Sequence, residues 1–302
     1  RATSNEALNT ISSVSQCVHQ IKDKQMDDAI RSTRNFTPRK DVVSDWRKKM
    51  YERINVIAAI NEMKVQDVFR DVYEDMNRVY TFVIEEERKK HPDLLLFDSG
   101  DFSQGSPYYS MYKGDVEIGL MNRMHYDAST IGNHEFDFGL DNMARIFKKA
   151  NFPILCSNYD LSGTPLDGIV KKYIIMKRKG IKIGVFALCP KLAGLVSAKN
   201  YGPIQYLDPI KVALEMSTFL KDKKKCDFVI LISHLGWEDQ GMGDQMVISN
   251  TRDIDLVLGG HSHTYFKELR YVKNRDGKPI PDDQNGKNAI FVGKMVVNFD
   301  KK

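Results

Sequence analysis

The 302-residue sequence predicts an α/β sandwich over residues 83–302, preceded by a small all-helical module over residues 1–82. Three observations carry this prediction. Residues 1–82 contain no glycine and only one proline, Pro38. Beyond Val83, short apolar runs alternate with amphipathic stretches, the pattern of strands and helices that build a covered sheet. Two runs, Tyr173–Lys177 and Ile181–Leu188, are joined by Arg178-Lys179-Gly180 and read as an added hairpin.

In the first module, Trp46, Met50, Ile54, Ile57 and Ala58 recur at helical spacing, as do Val68, Val72, Met76 and Val79. Residues 35–41 read as a loop, so three or four helices packed as a bundle are expected. In the second module, Ile84–Lys90 closes a helix and Leu94–Phe97 forms a strand. Val116–Met124 is a helix, Ala128–Ile131 a strand, Leu140–Ala150 a helix and Phe152–Cys156 a strand. After the hairpin come a helix over Pro209–Lys221, strands over Phe228–Ile232 and Ile254–Leu258, and a last, longer strand over Ala289–Phe299.

Hydrophobic residues make up 42% and charged residues 28%, as in ordinary globular chains. The net charge of +5 is too small, without a local cluster, to indicate nucleic acid. A basic stretch from Arg31 to Arg53 reads as a solvated helix face in preference to a DNA contact. No apolar run approaches the roughly 20 residues of a membrane span. The opening Arg1-Ala2-Thr3-Ser4-Asn5 is not a signal peptide and lacks an initiator Met, which leaves the compartment open. Cys17, Cys156, Cys189 and Cys226 are too widely separated for a cysteine zinc knuckle, and the last three sit in apolar runs as buried side chains.

The chemistry concentrates where apolar runs end. Leu94–Phe97 leads to Asp101; Ala128–Ile131 leads to Asn133 and His134; Ile230–Ser233 leads to His234; Leu256–Gly260 leads to His261 and His263. Taken singly, Asp101 and Asn133 also suit turns or helix caps, and His234 suits a core. His261 and His263 are alternate residues, which point the same way on an extended segment, and they follow a Gly-Gly pair where backbone can approach closely. His134 and Asp137 lie three apart and can meet across one helical turn, while Glu135 between them is placed to cap backbone. His19, His91 and His125 read as surface or loop residues.

Together these blocks resemble the N-terminal phosphatase domain of the 5′-nucleotidase family of calcineurin-like metallophosphoesterases. The matching segments are Asp98-Ser99-Gly100-Asp101 with Gln104-Gly105-Ser106-Pro107, then Gly132-Asn133-His134-Glu135-Phe136-Asp137, Ser233-His234-Leu235-Gly236 and Gly259-Gly260-His261-Ser262-His263-Thr264. The resemblance implies a four-layer αββα sandwich. It also implies phosphomonoester hydrolysis by metal-activated water, on 5′-nucleotides or related phosphate esters. Two divalent cations (Zn, Mn, Co, Mg or Ca) are implied, bridged by Asp101. Asn133, His234 and His261 would complete one site and His263 would join the other, with His134 and Asp137 as the catalytic dyad. Family members are often periplasmic or on the cell surface.

Two departures qualify that expectation. The family begins with a strand ending in Asp-x-His, two further ligands for the metal held by His263, and no Asp-x-His precedes Asp101 here. With only Asp101 and His263, that second site is expected to be weak or empty. The family also carries a C-terminal nucleotide-recognition domain that does not follow Lys302 here, so the expectation is either that a separate chain supplies it or that the substrate is not strictly a nucleotide. Residues 1–80 bear a looser resemblance to the helical module of phage antirepressor-type proteins, carried by Trp46–Met50, Ile54–Ala58 and Val68–Tyr73. The alternatives are therefore a catalytically impaired phosphatase-like binding or regulatory protein, or a phage-type DNA-associated protein acting through the N-terminal helices.

Overall fold

The computed structural model divides into two compact units, residues 1–83 and 84–302. It describes residues 84–104, 107–237, 242–287 and 291–299, all in the second unit. The expected helical bundle, the antirepressor-like segment and the basic stretch lie outside the described residues.

Residues 84–90 are helical. Three short parallel strands follow, in the order β1 (Phe97–Asp98), β2 (Ala128–Thr130), β3 (Ile154–Leu155). Between them run α1 (Pro107–Tyr112), α2 (Asp115–Arg123), a 3₁₀ turn (His134–Phe138) and α3 (Gly139–Phe147). Two-residue strands β4 (Tyr159–Asp160) and β7 (Gln205–Tyr206) pair with each other. The hairpin is β5 (Tyr173–Arg178) with β6 (Ile181–Leu188), its first strand one residue longer at the turn than the sequence suggests.

A second, six-stranded sheet has the order β10-β11-β9-β8-β6-β5. Its remaining strands are β8 (Phe228–Ser233), β9 (Leu256–Gly259), β10 (Arg270–Lys273) and β11 (Pro279–Gln284). The helix α4 (Ala198–Tyr201) packs with α3 and the 3₁₀ turn, while the helices on the six-stranded sheet are α5 (Pro209–Thr218), continued by a π turn over Phe219–Lys223, and α6 (Asp244–Asn250). Asp208 caps α5 by accepting the Lys211 N–H at 2.9 Å, and Pro209 occupies the first turn, where its missing N–H costs nothing.

Period-two alternation distributes the core. Ile230 and Ile232 of β8 join Ala128, Leu155, Val185 and Ala187 in a cluster shared by both sheets. Val229 and Leu231 face Ala213, Val247 and Ile248 on the helical side. A third cluster packs Ile118, Met121, Met143 and Ile146 of α2 and α3 against the first sheet. Strands covered on both faces read as continuous apolar runs, which is why they are legible in the sequence. The fold is thus mixed α/β with one parallel and one mixed sheet. Cys156, Cys189 and Cys226 are buried free thiols. No helix of the described residues is long and apolar enough to cross a membrane.

The expected last strand over Ala289–Phe299 is corrected: residues 291–299 form no strand. Their apolar side chains pack instead, Met295 on the inter-sheet cluster and Phe299 edge-on to Phe228 at 5.5 Å. The C-terminal strands are the short β10 and β11, and the Pro- and Asp-rich sequence of β11 gives no strand signal. Their turn is closed by Asn274, which accepts the Asp276 N–H at 3.0 Å and the Lys278 N–H at 2.9 Å.

Asp282 of β11 is fully buried, and neither carboxylate oxygen has a hydrogen-bond partner. Burial, with Asp244 and Asp283 nearby, pushes its carboxyl well above the ordinary 3.8. The folded state therefore keeps a proton that the unfolded chain loses above about pH 4, and this contribution to stability falls as pH rises. Replacing Asp282 with Val is expected to stabilise the protein by about 1–3 kcal/mol, the usual cost of an unsatisfied buried polar group. The gain should be larger at pH 8 than at pH 5. Urea unfolding at both pH values checks this, and a gain at pH 8 no larger than that at pH 5 contradicts it.

Candidate metal centre

Every candidate ligand lies just beyond the C-terminal end of a parallel strand, where an open α/β sheet presents side chains to a crevice. β1 leads through Ser99 and Gly100 to Asp101, β2 to Asn133, β8 to His234, and β9 through Gly260 to His261. The chain reaches these positions by turning sharply: Asp101, His261 and His263 all have left-handed φ, at 59°, 71° and 57°. Asp and His tolerate that region better than most side chains, though at some cost in strain. Glycine is required at 132, because a Cβ there would collide with the Asp101 carboxylate and backbone nitrogen.

Asp101, His234 and His261 each offer a ligand atom, and these atoms lie within 4.8 Å of one another. The His234 Nδ1–H donates to the Ser99 carbonyl oxygen, which fixes the tautomer and turns Nε2 toward the cluster. Nε2 approaches Asp101 Oδ2 to 2.9 Å, yet this buried nitrogen has no partner of hydrogen-bond geometry. The His234 and His261 rings stand 5.0 Å apart. Asn133 is 7% exposed, and its Oδ1 is likewise buried without a partner. The Asp101, His234 and His261 ligand atoms converging in one place suit a divalent cation, and the unpartnered Asn133 Oδ1 is a further oxygen donor.

Electrostatics point the same way. Burial opposes ionisation of Asp101, but His234 and the His134 N–H outweigh it and hold the carboxyl below its ordinary value. Burial also opposes charge on His234, and the Asp101 carboxylate overcomes it, raising the imidazole to about 9. The cluster therefore favours positive charge at the point where the ligand atoms meet.

The other predicted residues take distinct places. The His134 backbone N–H donates to Asp101 Oδ1 at 2.9 Å, so the residue is anchored beside the centre through its main chain. Its Nδ1 lies 3.3 Å from Asp137 Oδ2, and both side chains remain about a third exposed, at 30% and 35%. His263 is exposed and lies outside the cluster of three.

A family model described as calcineurin-like phosphoesterase matches residues 42–265. The chain belongs to the calcineurin-like phosphoesterase family. The chain is 31% identical over 241 residues to a snake venom 5′-nucleotidase from Gloydius brevicauda, covering 72% of this chain and 39% of that protein. Among solved structures it resembles the 5′-nucleotidase precursor from Thermus thermophilus, with 30% identity and a TM-score of 0.58 over 63% of this chain and 39% of that one. It also resembles the Haemophilus influenzae NAD nucleotidase, with 25% identity and a TM-score of 0.62 over 68% of this chain and 43% of that one. Its domain is of the 5′-nucleotidase kind, and the family is metal-dependent. The chain spans about two-fifths of the length of the curated relatives it matches. The match begins at residue 42, inside the stretch assigned from sequence to the helical module, and those residues lie outside the described ones.

Glu135 has a supporting role in this arrangement. Fully buried, it accepts backbone N–H groups from Gly132 at 2.6 Å, Asp101 at 3.0 Å and Ser103 at 3.2 Å, tying the first two ligand loops together. Burial, with Asp101 nearby, pushes its carboxyl up to about 7. Asp98 accepts the Gly100 N–H at 3.0 Å and the Ser129 hydroxyl at 2.9 Å, bracing the same turn from the strand side. The position of Glu135 between His134 and Asp137 points to a backbone cap; the part played by Asp98 has no sequence signal beyond its neighbourhood.

Proposed function

We propose that the chain is a metal-dependent phosphomonoesterase acting on 5′-nucleotides or related phosphate esters. The observation that carries this reading is the convergence of Asp101, His234 and His261, with His234 Nε2 buried without a partner, beside the His134–Asp137 pair; the buried, unpartnered Asn133 Oδ1 supports it. Divalent cations held by these residues would lower the pKa of water and neutralise charge on the transferring phosphoryl group. Asp101 and His263 would hold the second cation. Asp137 orients the His134 ring through Nδ1 and leaves Nε2 to face the phosphate ester, where it stabilises the anion and protonates the leaving oxygen. Asn200 donates to the Asp137 carbonyl at 3.1 Å and steadies the turn that carries the pair.

The relatives are nucleotidases by name, which supports a nucleotide substrate. The two sheets with helices on their outer faces support the four-layer sandwich, with residues 1–82 as a separate helical module. Phosphate release from a panel of nucleoside monophosphates with added Mn²⁺, Co²⁺ or Zn²⁺ tests the activity. Metal-dependent release is expected, and folded protein that turns over no substrate with any metal overturns it. The missing Asp-x-His motif and the exposed His263 favour one second reading, a phosphatase-like binding protein. One bound metal per chain with no hydrolysis would establish that instead.

A further inference from the structure

The fully buried Asp244 begins α6, ten residues beyond His234, and takes no part in the proposed ligand set. Its carboxylate accepts two hydrogen bonds. The Ser233 hydroxyl donates to Oδ1, and the Gln284 Nε2 donates to Oδ2 at 2.8 Å. The Gln284 side-chain carbonyl in turn accepts the Ser262 hydroxyl at 3.0 Å, and Ser262 Oγ accepts the Trp237 N–H at 3.0 Å. Ser233 immediately precedes His234, and Ser262 lies between His261 and His263. A continuous chain of side chains thus runs from the end of β8, through α6 and β11, to the loop after β9.

We propose that Asp244 and Gln284 are positioning residues that hold the His234 and His261–His263 loops in register for metal binding through this Ser233–Asp244–Gln284–Ser262 chain. The proposal rests on the reading that Asp101, Asn133, His234 and His261 hold a divalent cation. Burial pushes the Asp244 carboxyl up to about 7; above that pH it is a carboxylate that can only accept, so both Ser233 and Gln284 donate to it. That turns the amide of Gln284 so that its carbonyl faces Ser262, and the whole chain has one polarity. Gly259 makes room for it: a Cβ there would collide with the Asp244 carboxylate and the Gln284 amide. The close backbone approach expected of Gly259-Gly260 therefore serves the brace as well as the ligands. Partners behind metal ligands fix ring orientation, and their loss weakens metal binding by about 10–100-fold.

The polarity supplies the test. Asp244→Asn places a donor where donors already point, and Gln284→Glu sets one carboxylate against another. The double variant Asp244→Asn/Gln284→Glu rebuilds the chain reversed at its centre. Ser233 then donates to the new amide carbonyl at position 244, whose NH₂ group donates to the new carboxylate at position 284. Ser262 still donates to that carboxylate. Mn²⁺ affinity is measured by calorimetry on the full chain, with the visible spectrum of bound Co²⁺ as a geometric readout. Urea unfolding of the metal-free forms separates folding from binding.

Each single variant is expected to lose about 10–100-fold in Mn²⁺ affinity and to alter the Co²⁺ spectrum, and the double variant to regain both. Should a single variant fail to fold, Ser262→Ala removes the link to Gln284 together with the Trp237 N–H and Thr264 contacts of the same oxygen, and is expected to weaken Mn²⁺ binding with little change in unfolding. Folded single variants, or Ser262→Ala, with wild-type affinity overturn the brace alone, as does a folded double variant that recovers nothing. Wild-type protein that binds none of Mn²⁺, Co²⁺ and Zn²⁺ overturns the metal reading itself.

Discussion

Replacing His134 with Ala is expected to cut phosphate release by about 10²–10⁴-fold, the usual worth of a positioned acid–base group, while leaving metal affinity unchanged. The separation follows from which atoms of His134 do what. Its backbone N–H donates to Asp101 Oδ1 at 2.9 Å, and its carbonyl accepts the Tyr109 hydroxyl at 3.1 Å. Both contacts survive truncation at Cβ, so Asp101 keeps its orientation and the 3₁₀ turn keeps its anchor. What is lost is the imidazole that Asp137 orients from 3.3 Å. Asp137→Asn should fall in the same direction by a smaller factor, because the ring remains but loses its charged partner. Steady-state kinetics beside a Mn²⁺ titration separate the two quantities. Full turnover in the His134 variant removes the dyad assignment, and lost metal affinity would make His134 a ligand.

His234→Ala is expected to fail in both respects. The side chain is almost wholly buried, places one ring nitrogen on the Ser99 carbonyl and directs the other at Asp101. Truncation removes a ligand and leaves the Asp101 carboxylate without its positive neighbour in a largely buried setting. Metal affinity should drop by more than about 100-fold, beyond the range seen for supporting residues alone. The metal-free protein should also lose about 3 kcal/mol, the lower end of what breaking a buried charged pair costs. The paired outcomes distinguish the histidines: His134 costs rate alone, whereas His234 costs rate, metal and stability. Wild-type affinity in the His234 variant would mean that the cluster of three is not a metal site.

Much of this arrangement is legible in the sequence because strands buried on both faces leave an unmistakable apolar run, and each run ends a few residues before a candidate ligand. Ile230–Ser233 before His234 is the clearest case. Features that depend on distant partners are not legible. The left-handed turn at Asp101 is held by Glu135, 34 residues away, and the Asp244–Gln284 contact spans 40. Neither separation leaves a local pattern. The segment 291–299 shows the converse error: Met295, Val297 and Phe299 alternate as a strand would, but no described strand pairs with them, and packing of Met295 and Phe299 takes the place of pairing. In β11, Pro279-Ile280-Pro281-Asp282-Asp283-Gln284 has the composition of a loop, and tertiary pairing with β9 and β10 overrides it.

The first proposed metal site is better defined than the second for the same reason. Asp101, Asn133, His234 and His261 all come from strand ends within the described unit, where the sheets impose their positions. His263 sits two residues further out on an exposed loop, and the sequence offers it no Asp-x-His partner before Asp101. Anomalous diffraction from crystals soaked in Mn²⁺ or Zn²⁺ tests the central claim most directly. The account predicts a strong peak within coordination distance of Asp101, Asn133, His234 and His261; no peak there, with those side chains ordered and the metal bound elsewhere or not at all, would contradict it.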